Sequence, residues 1–202
     1  KNDQLQTELK FLKSQYHPHF LFNALNTVYF QIDESNKAPR RTLEMISELL
    51  RYQLYGGNQK VSILQEIDYL KTYIALRKLR MSERLRLRVE FPPELNELNI
   101  YPLLFLPLVE NAFKYVGGDY QLDIIMKWEN NRISLFIRNS IPELSAEDEA
   151  LRKSVDERQR KGIGLVNLRR RLSLLYPNKH RLETRKEETE FVAELMIEIE
   201  DI

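Results

Sequence analysis

Apolar residues in the first part of the chain recur at helical spacing, as Leu5, Leu9, Leu12 and Tyr16, then as Leu21, Leu25, Val28 and Ile32. Such spacing marks one buried stripe on a helix running from about Asp3 to Ile32. The step across Pro18 is five instead of three or four. Within a helix that proline leaves the Ser14 carbonyl unpaired and bends the axis, so the stripe rotates there. At about 100° per residue, His19, Asn23 and Asn26 then share the face opposite Leu21, Leu25, Val28 and Ile32, open to solvent or a docking partner. A second helix is opened by Pro39, carries Leu43, Ile46, Leu50 and Leu54, and is ended by Gly56-Gly57-Asn58. A third, from about Ile63 to Met81, presents Ile67, Leu70 and Ile74 on one side and Tyr, Lys and Arg on the other.

The second half changes period. Leu87, Val89 and Phe91 alternate with charged residues as in a half-buried strand, which Pro92-Pro93 stops. A helix from about Leu103 to Tyr115 follows, with Pro102 and Pro107 near its start. Two strands, about Asp123 to Glu129 and Ile133 to Asn139, are joined by a tight turn at Asn130-Asn131. Ser140 to Lys161 is polar, without periodicity, and reads as a mobile loop. A helix from about Gly164 to Tyr176 and strands near Arg181 to Lys186 and Glu190 to Ile199 complete the chain. Helices followed by mixed strands and helices place a boundary between two units near residue 82.

Composition narrows the function. The chain has 202 residues, no cysteine and three histidines, with 31 basic against 30 acidic residues and a net charge of +1. No strong field draws it to nucleic acid or a membrane surface. Thiolate metal sites and cysteine nucleophiles are excluded, and a centre built from several histidines is disfavoured. No segment approaches the roughly 18 apolar residues of a membrane span. The chain opens at Lys1 already in helical pattern, so it reads as a fragment cut inside a longer helix.

Two further motifs carry chemistry. In Leu108-Val109-Glu110-Asn111-Ala112-Phe113-Lys114-Tyr115, the pairs Glu110/Lys114, Asn111/Lys114 and Asn111/Tyr115 are three or four apart and share a flank. An acid, an amide and an ammonium there suit a magnesium-bound polyphosphate, because Mg²⁺ keeps several waters and takes few protein ligands. Such a flank is often only a solvated face. Lys161-Gly162-Ile163-Gly164-Leu165 lets backbone approach phosphate at a helix start.

The run from Leu12 through Asn26, with Pro18-His19-Phe20-Leu21-Phe22-Asn23 at its centre, resembles the LytS-like sensor histidine kinases. So do the Leu-Val-Glu-Asn-Ala box and the stretch from Gly162 to Leu172, in the same order and spacing, over almost the whole chain. The resemblance implies an α+β protein. Residues 1–82 would form a dimeric helical hairpin carrying the phosphoacceptor, and residues 83–202 an α/β sandwich ATP-binding domain of the Bergerat (GHKL) type, shared with gyrase, heat-shock chaperone and mismatch-repair ATPases.

The same resemblance implies roles. His19 accepts the phosphoryl group, and Asn23 orients a water when a partner is dephosphorylated. Asn111 holds Mg²⁺, Glu110 assists in activating the nucleophile or a water, and Lys114 contacts phosphate. Tyr115, Asn139, Gly162, Gly164 and Leu165 line the nucleotide, with the two glycines forming the second glycine box. The chain departs from the family with His17 for an asparagine and Tyr115 for a histidine. At the first glycine box Asn139 replaces the aspartate that accepts from the adenine amino group, followed by Ser140 and Ile141. Exchanging a charged for a neutral acceptor costs on the order of 1 kcal/mol, about tenfold in affinity, so adenine recognition is expected weakened and not abolished.

The expected activity is autophosphorylation of His19 from Mg-ATP, then transfer to an aspartate of a response regulator. Phe20 stands where other histidine kinases put an acid, so Glu110 is the candidate base, brought over by motion about residues 80 to 86. The expected assembly is a homodimer in the cytoplasmic portion of an inner-membrane sensor, touching membrane only through a missing N-terminal sensor region and binding no nucleic acid directly. One rival is a non-catalytic dimeric scaffold with a degenerate nucleotide site. Another is an ATPase clamp on nucleic acid, for which Arg169-Arg170-Arg171 is the only pointer.

Overall fold

The computed structural model describes residues 18–55, 59–93, 95, 98–143 and 163–199. The stripe before Pro18, Gly162 and most of the polar stretch from Ser140 to Lys161 lie outside the described residues.

The chain begins with two helices, α1 (Pro18–Gln31) and α2 (Lys37–Tyr55), packed as a hairpin. At its tip the Arg40 guanidinium donates to the Ile32 carbonyl at 2.9 Å, and Tyr29 donates to Glu44 at 2.9 Å. Leu21, Leu25 and Ile32 are half-buried against α2, as their stripe requires, whereas Val28 is exposed. Phe20 and Phe30 are 74% and 79% exposed. A helix packed against a single neighbour cannot cover apolar groups on two sides.

A short strand, β1 (Val61–Ser62), leads into α3 (Ile63–Lys78). The Ser62 side chain caps the helix, and Gln65 returns a bond to the Ser62 N–H, so this start is fixed locally. Next come β2 (Arg86–Glu90), β3 (Asn99–Ile100) and α4 (Leu106–Tyr115). Helix α4 starts three residues later than periodicity suggests, because Leu103 takes a left-handed conformation with φ 59° and breaks the helical path. The strands β4 (Gln121–Glu129) and β5 (Arg132–Ser140) form the expected hairpin, with Asn130 and Asn131 both at positive φ, 52° and 59°. Two consecutive left-handed residues make the turn that follows strand twist, and asparagine tolerates it. Helix α5 (Ile163–Leu175), β6 (His180–Lys186) and β7 (Glu190–Glu198) follow.

The main sheet has five strands in the order β2-β4-β5-β7-β6, with β2 parallel to β4 and the rest antiparallel. One face carries Leu122, Ile124, Leu135, Ile137, Leu195 and Ile197, all nearly inaccessible, and α3, α4 and α5 cover it. The other face carries charge, with Arg138 on Asp123 at 2.6 Å and Arg132 on Glu198 at 2.7 Å. This is the expected helical hairpin followed by an α/β sandwich. Helix α3 serves both parts: Ile63, Ile67, Leu70 and Ile74 enter the main core, while Tyr69 packs with Leu49 and Leu106 in a smaller cluster beneath α2. No described helix is long and apolar enough to cross a membrane.

Candidate functional site

His19 lies in the first turn of α1 and is exposed, as are Asn23 and Asn26. The polar face read from the stripe is therefore present. The Asn23 side-chain amide sits 3.2 Å from His19 Nδ1. The amide nitrogen Nδ2 is the atom in contact and can only donate, so Nδ1 is the accepting nitrogen and the neutral imidazole carries its proton on Nε2. Phe22, one turn before Asn26, stacks on Tyr55 at 6.3 Å, and the Arg51 guanidinium lies over the same ring at 5.7 Å. The histidine end of α1 thus rests beside the last turn of α2.

The second group lies on α4. Leu108 and Ala112 are buried in the main core, which turns Glu110, Asn111 and Lys114 outward or to the helix flank. Asn111 is half-buried, and the Lys114 ammonium lies 4.9 Å from the centre of the Tyr115 ring. Glu110 is drawn toward α3. Partial loss of solvent around it pushes its carboxyl above the usual carboxylate range, the nearby Arg77 charge opposes this, and its own charge acts on Tyr69 and Tyr73. Arg77 itself lies over Phe113 at 5.7 Å, with its Nε buried and unpartnered. Arg77 escapes a motif search because it belongs to a different helix, 33 residues before Glu110 in sequence.

Asn139 is the third element. It sits at the end of β5 on the covered face, in line with Leu135 and Ile137, and is 0% exposed. Its Nδ2 donates to the Ser140 carbonyl at 3.2 Å, while Oδ1 is buried with no donor. A buried acceptor without a partner is costly in a finished fold. An incoming amino group would satisfy it, which fits the residue to an adenine. Gly117 and Gly118, missed by sequence reasoning, clamp this strand end: Gly117 N–H donates to the Ser140 carbonyl at 3.0 Å, and Ser140 Oγ donates to the Gly117 carbonyl at 2.7 Å. A Gly-Gly pair directly after a helix was the available signal.

Gly164 lies exposed in the first turn of α5, where an added Cβ would meet nothing within 4 Å, and Leu165 packs beside the core. Open space at a helix start admits a phosphate. For a divalent cation the donors at hand are the Asn111 amide oxygen and the Glu110 carboxylate. Among the described residues no three acidic, histidine or cysteine side chains converge as a metal cage. That donor set suits Mg²⁺, which takes few protein ligands.

Two of the three consecutive arginines bond to backbone within the fold. Arg169 donates to the Leu182 carbonyl at 2.9 Å and Arg171 to the Pro102 carbonyl at 2.7 Å, leaving Arg170 exposed. A basic stripe for nucleic acid is not assembled from them.

Residues 7–85 match the model of the histidine kinase family. The sensor protein kinase HptS of Staphylococcus aureus (strain USA300) is 29% identical over 180 residues, covering 87% of this chain and 35% of that protein. The chain thus spans about a third of the length of the curated relatives it matches. Solved structures include the histidine kinase domain of the Erythrobacter litoralis EL346 blue-light activated histidine kinase, with TM-score 0.49, 13% identity, and coverage of 98% of this chain and 96% of that one. The catalytic domain of histidine kinase ThkA aligns with TM-score 0.45 and 17% identity over 69% of this chain and 93% of its own. The resemblance drawn from the sequence is borne out: the chain carries the histidine kinase family's pattern in residues 7–85 and is similar to a sensor histidine kinase over most of its length.

Proposed function

We propose that the chain is the kinase portion of a two-component sensor histidine kinase, which phosphorylates His19 from Mg-ATP and passes the group to a response-regulator aspartate. The observation that carries this reading is the exposed His19 ring, held through Nδ1 by the Asn23 amide. In the transfer, a nitrogen lone pair of the neutral His19 ring forms a bond to the γ-phosphorus as the bond to the β–γ bridging oxygen breaks, and ADP departs. Glu110 receives the ring proton when motion brings the hairpin end that carries His19 to it. The Lys114 ammonium offsets charge on the transferring oxygens, so catalysis is mainly positioning and electrostatics. Asn111 would hold Mg²⁺, which when bound supplies further charge compensation on the phosphates. Asn139 Oδ1 accepts from the adenine amino group, the open space at Gly164 admits a phosphate, and Gly162, Leu165 and Tyr115 are assigned to the same nucleotide.

We assign residues 1–82 to the dimerising, phosphoacceptor part and 83–202 to the ATP-binding part, with α3 packed into both. The exposed Phe20, Val28 and Phe30 of α1 support a homodimer formed through the hairpin. The kinase part belongs on the cytoplasmic side of a membrane sensor.

Incubation with γ-labelled ATP and Mg²⁺ tests the reading. Acid-labile label is expected on the chain and lost in His19→Ala, together with a rise in melting temperature at millimolar Mg-ATP. Label persisting in His19→Ala overturns the assignment of His19, and no thermal shift at all favours a scaffold that does not bind nucleotide.

A further inference from the structure

Glu66, in the first turn of α3, is 0% exposed, and the proposed reaction does not use it. A buried carboxylate is costly, and an apolar residue would fill the same space at lower cost, so its bonds are what it contributes. Its Oε2 accepts from the Tyr52 hydroxyl of α2 at 2.7 Å and from the Leu103 N–H at 3.0 Å, while Oε1 has no donor. The Arg171 charge on α5 acts on Glu66, and the Arg171 guanidinium bonds the Pro102 and Leu103 carbonyls at 2.7 and 3.4 Å. One carboxylate therefore joins the second hairpin helix to the segment that leads into α4, the helix of Glu110 and Asn111.

The end of the hairpin fastened in this way is the histidine end. Tyr52 lies between Arg51 and Tyr55, the two residues that engage Phe22 three positions after His19. The Tyr52 ring also stacks on Tyr69 of α3 at 4.7 Å, and Gln53 donates to the Tyr69 hydroxyl at 2.6 Å. Stacking supplies attraction, and the directional bond to Glu66 fixes the register.

We propose that Tyr52 and Glu66 form a latch that sets the reactive end of the hairpin against the nucleotide-binding part, which makes Glu66 a positioning residue for phosphoryl transfer to His19. This rests on His19 being the phosphoacceptor. The latch acts on transfer and leaves nucleotide binding alone, because none of its bonds involves the side chains assigned to ATP.

The chain has no cysteine, so spin labels can be placed cleanly on the full chain by Glu48→Cys on α2 and Lys127→Cys on β4, both at exposed positions. In this background Tyr52→Phe removes only the hydroxyl. The expected result is a broadened distance distribution and a fall of about tenfold in the single-turnover rate at saturating Mg-ATP, with KM for ATP unchanged. Glu66→Gln keeps an acceptor for both donors and is expected to retain the narrow distribution and most of the rate. A Tyr52→Phe protein with wild-type distances, or one whose ATP affinity falls with its rate, overturns the latch. Label persisting in His19→Ala instead overturns the phosphoacceptor reading, and the distances still report the latch without any activity.

Discussion

The Asn23 amide meets His19 Nδ1 at 3.2 Å, one helical turn along the same exposed face. Spacing of four on a helix brings two side chains into reach, and here it couples an amide to a nucleophile. The Asn23 Nδ2 donates to Nδ1, so the neutral ring is held in the Nε2–H tautomer with Nδ1 as acceptor. Asn23→Ala is expected to lower the rate of His19 phosphorylation by roughly five- to tenfold, the worth of one neutral hydrogen bond, with ATP affinity unchanged. Nitrogen NMR of the ring checks the cause. The wild type should show the Nε2–H tautomer, and the variant a larger share of the Nδ1–H form.

Asn139 offers a separation of stability from binding. Its Oδ1 is buried and unpaired in the free chain, so Asn139→Leu, close in shape, removes an acceptor that the fold never satisfies. Leucine also loses the Nδ2 bond to the Ser140 carbonyl, but that carbonyl keeps its bond from the Gly117 N–H, so the loss is offset by removal of the unpaired acceptor. The melting temperature without nucleotide is expected to stay level or rise, while Mg-ATP affinity falls by about tenfold or more. Calorimetric titration beside a thermal melt gives both numbers. A variant that melts lower yet binds as tightly would remove Asn139 from the nucleotide site.

Local pattern carried most of the elements, and tertiary pairing accounts for what it lost. The phase of α1 followed from its apolar stripe, and the Asn130-Asn131 turn from residues that tolerate positive φ. The start of α4 did not, because one left-handed residue, Leu103, decides it and leaves no trace in periodicity. On α3 the side read as Tyr, Lys and Arg holds Tyr69, which is buried by α2, a neighbour that the period of α3 alone cannot reveal. Glu66 was invisible for the same reason. The Glu110 flank could be read from spacing of three and four, but its approach to Arg77 needed the packing of α4 on α3.

Gly118 has φ of +61°, and a Cβ built on it would meet the Ile141 carbonyl oxygen at 3.0 Å. Both conditions oppose any side chain. Gly118→Ala is expected to cost about 1–2 kcal/mol of folding stability, the usual penalty for a left-handed L-residue. The neighbouring Gly117 is bonded twice to Ser140, so strain here reaches the end of β5 that carries Asn139. Urea midpoints and ATP titrations should therefore fall together, in contrast to Asn139→Leu. Unchanged affinity would mean that this loop does not shape the nucleotide site.

Glu66 predicts a dependence of stability on pH. Burial pushes its carboxyl above the usual range, against the Leu103 N–H, the Tyr52 hydroxyl and the Arg171 charge, which all pull it down. The folded chain therefore binds this proton more tightly than the unfolded chain, whose carboxyl titrates near 4.5. In the window above that value the folded state holds more protons, so stability falls as pH rises. The contribution is complete below the unfolded pKa and is lost as pH passes the folded one. Glu66→Gln has no proton to lose and keeps acceptors for Tyr52 and Leu103. Its stability relative to wild type should rise between pH 5 and pH 8, read from urea midpoints in matched buffers. A gap that stays constant across that range would mean the carboxyl titrates normally and that its bonds outweigh its burial.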